Sequence, residues 1–437
     1  MTGDTIAAIA TPPGEGAIAM VRLSGPDSKK ILGRIFSGKP STPRHAVFGR
    51  ILDGGEVVDQ ALATWFEAPG SFTGEEMAEI TCHGGILLAA RVLELALRHG
   101  ARAAEPGEFS RRAFLNGRMD LTQAEAVMDI IRAKTPLALR AAALQLEGRL
   151  GRGIEALRDG VLETVANLEA WIDFPEEGID PASGRELLAK ISSLEKATAS
   201  LLSTADQGRI LREGVRTAIV GKPNAGKSSL LNRLLGMDRA IVSETPGTTR
   251  DTIEESACLG GILFKLTDTA GLRETNDPVE REGVARTGRA LEHSDLVLHV
   301  VDTTEEEIPP PPREGSILVL NKSDLAPGRP APDGAIRISC ITGEGFGELT
   351  KKMASSAGLN QSAQGPSLAA INARHKALLE TARTGLAAAA ELVRENRPPE
   401  LAAVELRTAL DALGQIVGAT DTEDILGEIF GRFCIGK

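Results

Sequence analysis

The spacing of apolar residues changes twice along the chain. Up to about residue 118, short apolar runs such as Ala17–Leu23 and Ala61–Phe66 alternate with Gly- and Pro-rich turns, and one helix is expected at Gly85–Arg98. From about Leu121 the period lengthens. Ile154, Leu157, Val161, Val165, Leu168 and Ile172 recur every three or four residues and line one face of a long helix. Leu187, Ile191, Leu194 and Leu201 continue this pattern after a break at Phe174–Gly184. From Val215, strand-like runs return at Arg216–Val220, Leu263–Thr267, Leu296–Asp302 and Ile317–Leu320. Helical segments separate them, which is the pattern of a parallel α/β sheet. A polar stretch, Ser355–Pro366, leads back into helix from about Ala369 to Leu413.

This order predicts a multidomain chain. Residues 1–118 form a mixed α+β domain, and 119–212 with 369–437 form one α-helical bundle. Residues 213–356 form an inserted α/β domain, and 357–368 are a linker. The C-terminal helical piece is too short to bury its own apolar faces, so one bundle with an insertion at a loop is expected over two separate bundles. The 437 residues also exceed the roughly 250–300 at which a single core stops growing.

Composition narrows the class. The chain is 42% apolar and 25% charged, with 49 Lys and Arg against 60 Asp and Glu, a net charge of −11. Such a chain does not coat nucleic acid by bulk electrostatics, so any RNA contact is local or comes through a partner. Cys82, Cys258, Cys340 and Cys434 show no metal-ligand spacing, which suits a reduced cytoplasmic protein. No signal peptide and no membrane-length apolar run is visible, so no membrane association is expected.

The inserted domain carries the clearest chemistry. Gly221-Lys222-Pro223-Asn224-Ala225-Gly226-Lys227-Ser228 follows a strand and opens a helix at Ser229, the required context of a P-loop. Its glycines let backbone N–H groups close around phosphate oxygens, and the helix N-terminus favours the negative charge. Lys227 is placed to reach the β- and γ-phosphates and Ser228 to ligate Mg²⁺. Asp268-Thr269-Ala270-Gly271 ends the next strand; the acid can hold Mg²⁺ through water, and the Gly271 amide can sense the γ-phosphate. Asn321-Lys322-Ser323-Asp324 follows a further strand. A carboxylate at Asp324 accepts from both N1–H and the exocyclic amine of guanine, a donor pair that adenine lacks, so GTP is expected over ATP. Ser339-Cys340-Ile341 would close on the guanine O6 with backbone N–H groups. Between these motifs lies Ser243-Glu-Thr245-Pro-Gly-Thr248-Thr249-Arg250-Asp251, in which Thr249 is the second Mg²⁺ ligand of a γ-phosphate-dependent switch. Leu272 follows Gly271 and cannot polarise water, so hydrolysis needs another group, and the developing phosphate charge needs a cation.

The chain closely resembles the MnmE (TrmE) family of tRNA modification GTPases over essentially its whole length. The resemblance rests on the opening DTIAAIATPPGEGAIAMVRLSG, the segment EFSRRAFLNGRMDLTQAEA, the guanine-nucleotide motifs, and the terminal Cys434-Ile-Gly-Lys437. Cys340 departs from the alanine that many relatives carry. The resemblance implies a folate-binding-like N-terminal α+β domain, a helical bundle and an inserted Ras-like α/β P-loop GTPase domain. It implies K⁺ in place of an arginine finger, held by Asn224, Ser243, Thr245 and Thr248, with G-domain dimerisation coupled to hydrolysis. Glu280 would position the attacking water, where a solvated surface glutamate is the plainer reading. Arg22, Glu79, Arg118 and Lys437 would hold 5-formyltetrahydrofolate or a related tetrahydrofolate, where each is otherwise an ordinary surface charge. Cys434 is either a thiol of the folate chemistry or a small apolar residue.

The family's reaction installs a carboxymethylaminomethyl or aminomethyl group on wobble uridine 34 of certain tRNAs. The implied partners are a second copy of the chain and an FAD-dependent protein, in a heterotetramer through which tRNA is bound. Three rivals stay open on the sequence: a ribosome-assembly GTPase, a folate-dependent transferase with a regulatory G domain, and a scaffolding switch.

Overall fold

A computed structural model describes residues 3–173, 184–237, 255–268, 291–358, 371–420 and 423–437. Two compact units emerge, one of residues 1–128, 151–162 and 410–437, the other of residues 129–150 and 163–409.

The first unit is built on β1 (Ile6–Ile9), β2 (Gly16–Ser24), β3 (Ala46–Asp53), β4 (Glu56–Phe66), β5 (Met77–Gly84) and β6 (Arg102–Ala103), in the order β3-β4-β5-β2-β1-β6. Gly54 and Gly55 take φ of 58° and 101°, which lets the chain reverse tightly between β3 and β4. Helices α1 (Ser28–Ile35) and α2 (Ile86–Arg98) cover one sheet face, packing Ile31, Leu32, Ile35, Val92 and Leu95 on Val21, Leu23, Ala63, Ile80 and Cys82. Alternation along the strands then sends Met20, Arg22, Leu62, Glu79 and Thr81 to the other face. Helix α3 (Glu108–Leu115) follows, and α4 (Leu121–Arg132) opens on a reciprocal cap: the Gln123 amide donates to Asp120 Oδ1 at 2.9 Å and the Asp120 amide to Gln123 Oε1 at 3.0 Å. The C-terminal helix Glu423–Gly431 docks beside α3 and α4 through Leu426 and Phe430, with Phe433, on Leu121, Ala124 and Met128.

Arg112 of α3 is 4% exposed and held by three carboxylates: Asp4 at 2.8 Å, Glu108 at 3.0 Å and Glu75 at 3.2 Å. Arg102 adds a second clamp on Glu108 at 2.6 Å and on Asp4 at 2.8 Å. Burial pushes the Glu108 carboxyl up, but hydrogen bonds from Arg102, the Glu105 amide and Arg112 outweigh it and leave it below its ordinary value. Asp4 is lowered in the same way, against burial, by Arg102 and Arg112. A lowered folded-state value means the unfolded chain binds the proton more readily. The stabilisation is therefore complete above the ordinary carboxylate range, about pH 4, and is lost as pH falls below it. In a Trp171→Phe background, urea unfolding followed by Trp65 should show a midpoint that drops below about pH 4. Glu108→Gln should lower the midpoint at neutral pH and flatten that drop; an unchanged profile would remove the network from the unit's stability.

The second unit contains α5 (Pro136–Leu146), α6 (Arg149–Asp173, shared with the first unit), α7 (Gly184–Leu202) and α8 (Ala205–Glu213) ahead of a second sheet. Its strands are β7 (Val215–Val220), β8 (Glu255–Leu259), β9 (Ile262–Asp268), β10 (Leu296–Asp302), β11 (Ile317–Asn321) and β12 (Ile336–Arg337), ordered β12-β11-β10-β7-β9-β8. All neighbours are parallel except β8 and β9, a hairpin turned by Gly260 and Gly261 at φ 61° and 81°. Helices α9 (Lys227–Met237) and α10 (Phe346–Ser356) bury Leu230, Leu234, Leu349 and Met353 against Ile219, Phe264, Leu298 and Val319.

The helical stretch expected from about Ala369 to Leu413 consists of α11 (Ala373–Arg394) and α12 (Pro399–Val417). Pro398 and Pro399 end the first run, since proline has no amide to continue the ladder, and Asn396 at φ 50° turns the chain. The pair packs closely at Gly385, where a Cβ would lie 2.7 Å from the Glu405 carbonyl oxygen. Among the described residues, no helix is long and apolar enough to cross a membrane, and no cluster of three or more His, Cys, Asp or Glu could hold a metal ion.

Candidate nucleotide site

The phosphate loop runs from the end of β7 to the first turn of α9. Its shape is set by residues outside the ordinary backbone regions. Gly221, Asn224 and Gly226 take φ of 155°, 63° and 94°. A Cβ on Gly221 would meet the Val300 carbonyl oxygen at 2.1 Å, and one on Gly226 the Asn321 Nδ2 at 2.1 Å. The strand β10 and the β11 end thus press on the loop, and only glycine fits. Lys227 is 7% exposed, and its Nζ donates to the carbonyl oxygens of Gly221 at 2.8 Å and Lys222 at 2.7 Å. The ammonium is held across the loop's own mouth. Asn224, Ser228 and Ser229 are exposed, and Ala225 is buried.

The base-recognition motifs converge on the same edge. Asn321, 2% exposed at the end of β11, donates from Nδ2 to the Ala225 carbonyl at 2.9 Å and accepts at Oδ1 from the Cys340 amide at 3.3 Å. One carboxamide therefore ties the phosphate loop to the Ser339-Cys340 segment. Lys322 turns the chain at φ 63°, and its Nζ pairs with Asp302 at 2.5 Å. Burial raises the Asp302 carboxyl, but Lys322 and the Thr304 amide and hydroxyl outweigh it and keep it below its ordinary value. Asp324 is exposed, and its charge reaches the Cys340 thiol. That thiol is raised chiefly by burial, with Asp324 adding to the shift and Arg233 opposing it. Cys340 accordingly stays a neutral thiol. Ser339 is fully buried, and its hydroxyl accepts from the Thr342 amide at 3.1 Å.

Asp268 ends β9, paired in register with Ile219 one residue before the end of β7. Ser243, Thr245, Thr248, Thr249, Thr269, Ala270, Gly271 and Glu280 lie outside the described residues. Sequence reasoning missed Asp302 and the ion pair of Lys222 with Glu305 at 2.6 Å. An acid closing the strand before the Asn-Lys-Ser-Asp strand was the available signal for Asp302.

In the first unit the structure gathers Arg22, Glu79 and Lys437. Arg22 and Glu79 are cross-strand neighbours and pair at 2.9 Å. Arg22 also donates to the Gly436 carbonyl at 3.2 Å, and its guanidinium lies 5.9 Å from the Phe72 ring and 5.7 Å from the Phe109 ring. Its Nε is buried without a hydrogen-bond partner among the described residues. Lys437 is lowered by burial and by the Arg22 charge. The tail is pinned by the Gly107 amide donating to the Cys434 carbonyl at 3.3 Å and by the pairing of Pro106 with Ile435. Cys434 itself is exposed. Arg118 is exposed and lies along Gly74, outside the Arg22–Glu79 contacts.

A glycine-shaped loop between strand and helix, joined by a buried asparagine to a base-reading edge on a parallel sheet, defines a P-loop GTPase. Comparison with known proteins gives the family. The MnmE helical domain matches residues 121–434, and the GTP-binding protein TrmE N-terminus matches residues 5–118. The tRNA modification GTPase MnmE of Akkermansia muciniphila is 51% identical over 447 residues, covering 99% of both chains. That of Heliobacterium modesticaldum is 45% identical over 467 residues, covering 100% of both. The solved G domain of the T. maritima FeoB iron transporter is 26% identical over 33% of this chain and 98% of its own, with a TM-score of 0.25. The chain belongs to the MnmE (TrmE) family and is a GTP-hydrolysing enzyme of tRNA modification.

Proposed function

We propose that this GTPase is activated by potassium and works with an FAD-dependent partner. Together they form 5-carboxymethylaminomethyl or aminomethyl on wobble uridine 34 of certain tRNAs, from a folate one-carbon unit. The observation that carries the GTP half is the Asn321 bridge, which sets phosphate loop and base edge in one rigid frame. Ser228 and Thr249 would hold Mg²⁺, with Asp268 behind a water. Asn224, Ser243, Thr245 and Thr248 would hold K⁺. These are amide and hydroxyl oxygens, the donor chemistry that hard cations take. Bound there, the cations neutralise phosphate charge. Glu280 would orient the water that Leu272 cannot.

The first unit supports the folate half. The guanidinium of Arg22, 5.9 and 5.7 Å from two aromatic rings and with a buried Nε that has no partner among the described residues, suits a ligand carrying carboxylates and a flat ring. Lys437 and Glu79 stand beside it, Arg118 would reach in from the rim, and Cys434 offers a thiol close by. A second copy of the chain is the proposed partner of the adjoining sheet face. Phe48, Leu62 and Thr81 lie in one cross-strand row two residues from the Arg22–Glu79 row, and Phe48, Leu62 and Ile18 are 67%, 45% and 60% exposed. Apolar exposure of this kind on a sheet marks an interface. The net charge of −11 supports tRNA contact made mainly through the FAD-dependent protein, in a heterotetramer.

Two measurements test the proposal. Mass spectrometry of tRNA nucleosides from cells lacking the gene should show unmodified wobble uridine; an unchanged modification profile would sink the tRNA assignment. GTP hydrolysis should be faster in KCl than in NaCl at equal ionic strength, and equal rates would remove the potassium site.

A further inference from the structure

The turn that follows β10 touches both the phosphate loop and the base motif. Asp302, the last residue of β10, accepts from the Thr304 amide at 2.9 Å and the Thr304 hydroxyl at 2.8 Å through Oδ1. Through Oδ2 it holds Lys322 of the base motif. Arg329, in the loop after Asp324, donates to the Thr303 carbonyl at 2.6 Å, to the Glu305 carbonyl, and to the Glu306 carbonyl at 3.0 Å. Three carbonyls on one planar guanidinium fix the turn's backbone to the base-recognition side. From this fixed turn the Glu305 side chain reaches out to Lys222, inside the phosphate loop. Lys222 is 59% exposed and Glu305 26% exposed. The carbonyl of that same Lys222 is one of the two that position the Lys227 ammonium.

We propose that Glu305 is a positioning residue for the nucleotide. Its ion pair with Lys222 anchors the outer rim of the phosphate loop to the turn that Arg329 and Lys322 tie to the base motif. The loop amides and the Lys227 ammonium are thereby held at a set distance from Asp324. Glu305 touches no phosphate on this reading. It acts through Lys222, on GDP and GTP alike, because the strut lies at the loop rim and not at the γ-phosphate. The inference rests on residues 221–228 being the phosphate loop.

The test is a double-mutant cycle on the full chain, read by competition of GDP and GTP with a fluorescent GDP analogue. Glu305→Gln should weaken both nucleotides by about two- to fivefold, the range of a partly exposed ion pair. The KM for GTP should rise by a similar factor with kcat at saturation unchanged. In a Lys222→Gln background the same Glu305→Gln change should have no further effect. The exchanged pair, Lys222→Glu with Glu305→Lys, should recover part of the loss. The single-variant effect should shrink between 50 mM and 500 mM salt, as the Debye length falls from about 14 Å to about 4 Å. Thermal unfolding of each variant separates loop positioning from general destabilisation. Unchanged affinity in Glu305→Gln, or an undiminished effect in the Lys222→Gln background, overturns the proposal. Lys227→Ala is the control: if it leaves GDP affinity unchanged, the phosphate-loop reading itself fails, and if it weakens GDP binding while Glu305→Gln is silent, only the strut fails.

Discussion

Asp324→Asn should lower GTP affinity by about 100- to 1000-fold and raise affinity for XTP, leaving ATP a poor ligand throughout. The carboxylate accepts two hydrogen bonds from guanine, at N1–H and at the exocyclic amine. A carboxamide accepts only one, and its NH₂ then faces the guanine amine, donor against donor. Xanthine carries an oxygen at that position, which the NH₂ can satisfy. The setting favours a large effect. Lys322 at φ 63° turns the chain, and the Ser323 amide donates to the Ile338 carbonyl at 3.0 Å, fixing Asp324 beside the Ser339-Cys340 edge. Competition of each triphosphate with a labelled GDP analogue reads the result. GTP binding at the original strength in the variant would remove Asp324 from base recognition.

Lys227→Ala should reduce kcat for GTP hydrolysis by about 100- to 1000-fold, the scale of one preorganised donor on a developing charge. Lys227 is 7% exposed and its ammonium is already fixed by two carbonyls of its own loop, so little reorganisation stands between this position and a phosphate oxygen. Lys227→Arg should rescue poorly, because a planar guanidinium does not fit where a compact ammonium bridges two carbonyls. Single-turnover hydrolysis at saturating GTP, with a thermal melt to confirm folding, measures this. A rate within tenfold of the parent would place the catalytic charge elsewhere.

The multidomain architecture was legible because period is a local property. A strand buried on both faces, such as β10, and a helix buried on one, such as α6, leave different spacings of apolar residues in any short window. Two elements escaped that test. The short strand β8 precedes Gly260-Gly261, and the glycine pair, not the apolar spacing, was its signal. The break between α11 and α12 falls at residues 395–398, just ahead of Pro399, inside an Ala- and Leu-rich run whose period continues on either side. Residues 1–128 form part of one compact unit with 151–162 and 410–437, a grouping that no local pattern encodes.

By itself the sequence determined what each motif can do: the glycines at Gly221 and Gly226 that let amides approach phosphate, the lysine that follows them, and the carboxylate at Asp324 that suits guanine. These are properties of residue type and near-neighbour spacing. Only the tertiary structure decided what stands beside what. Asn321 meets Ala225 across 96 residues because β11 and β7 flank β10 in the sheet. Arg22 meets Gly436 across 414 residues because the tail pairs at Pro106. Glu305 reaches Lys222 only once the β10 turn and the loop after β7 share one sheet edge. Such contacts depend on strand order and register, which are set by packing of the whole core and leave no trace in any short stretch of chain.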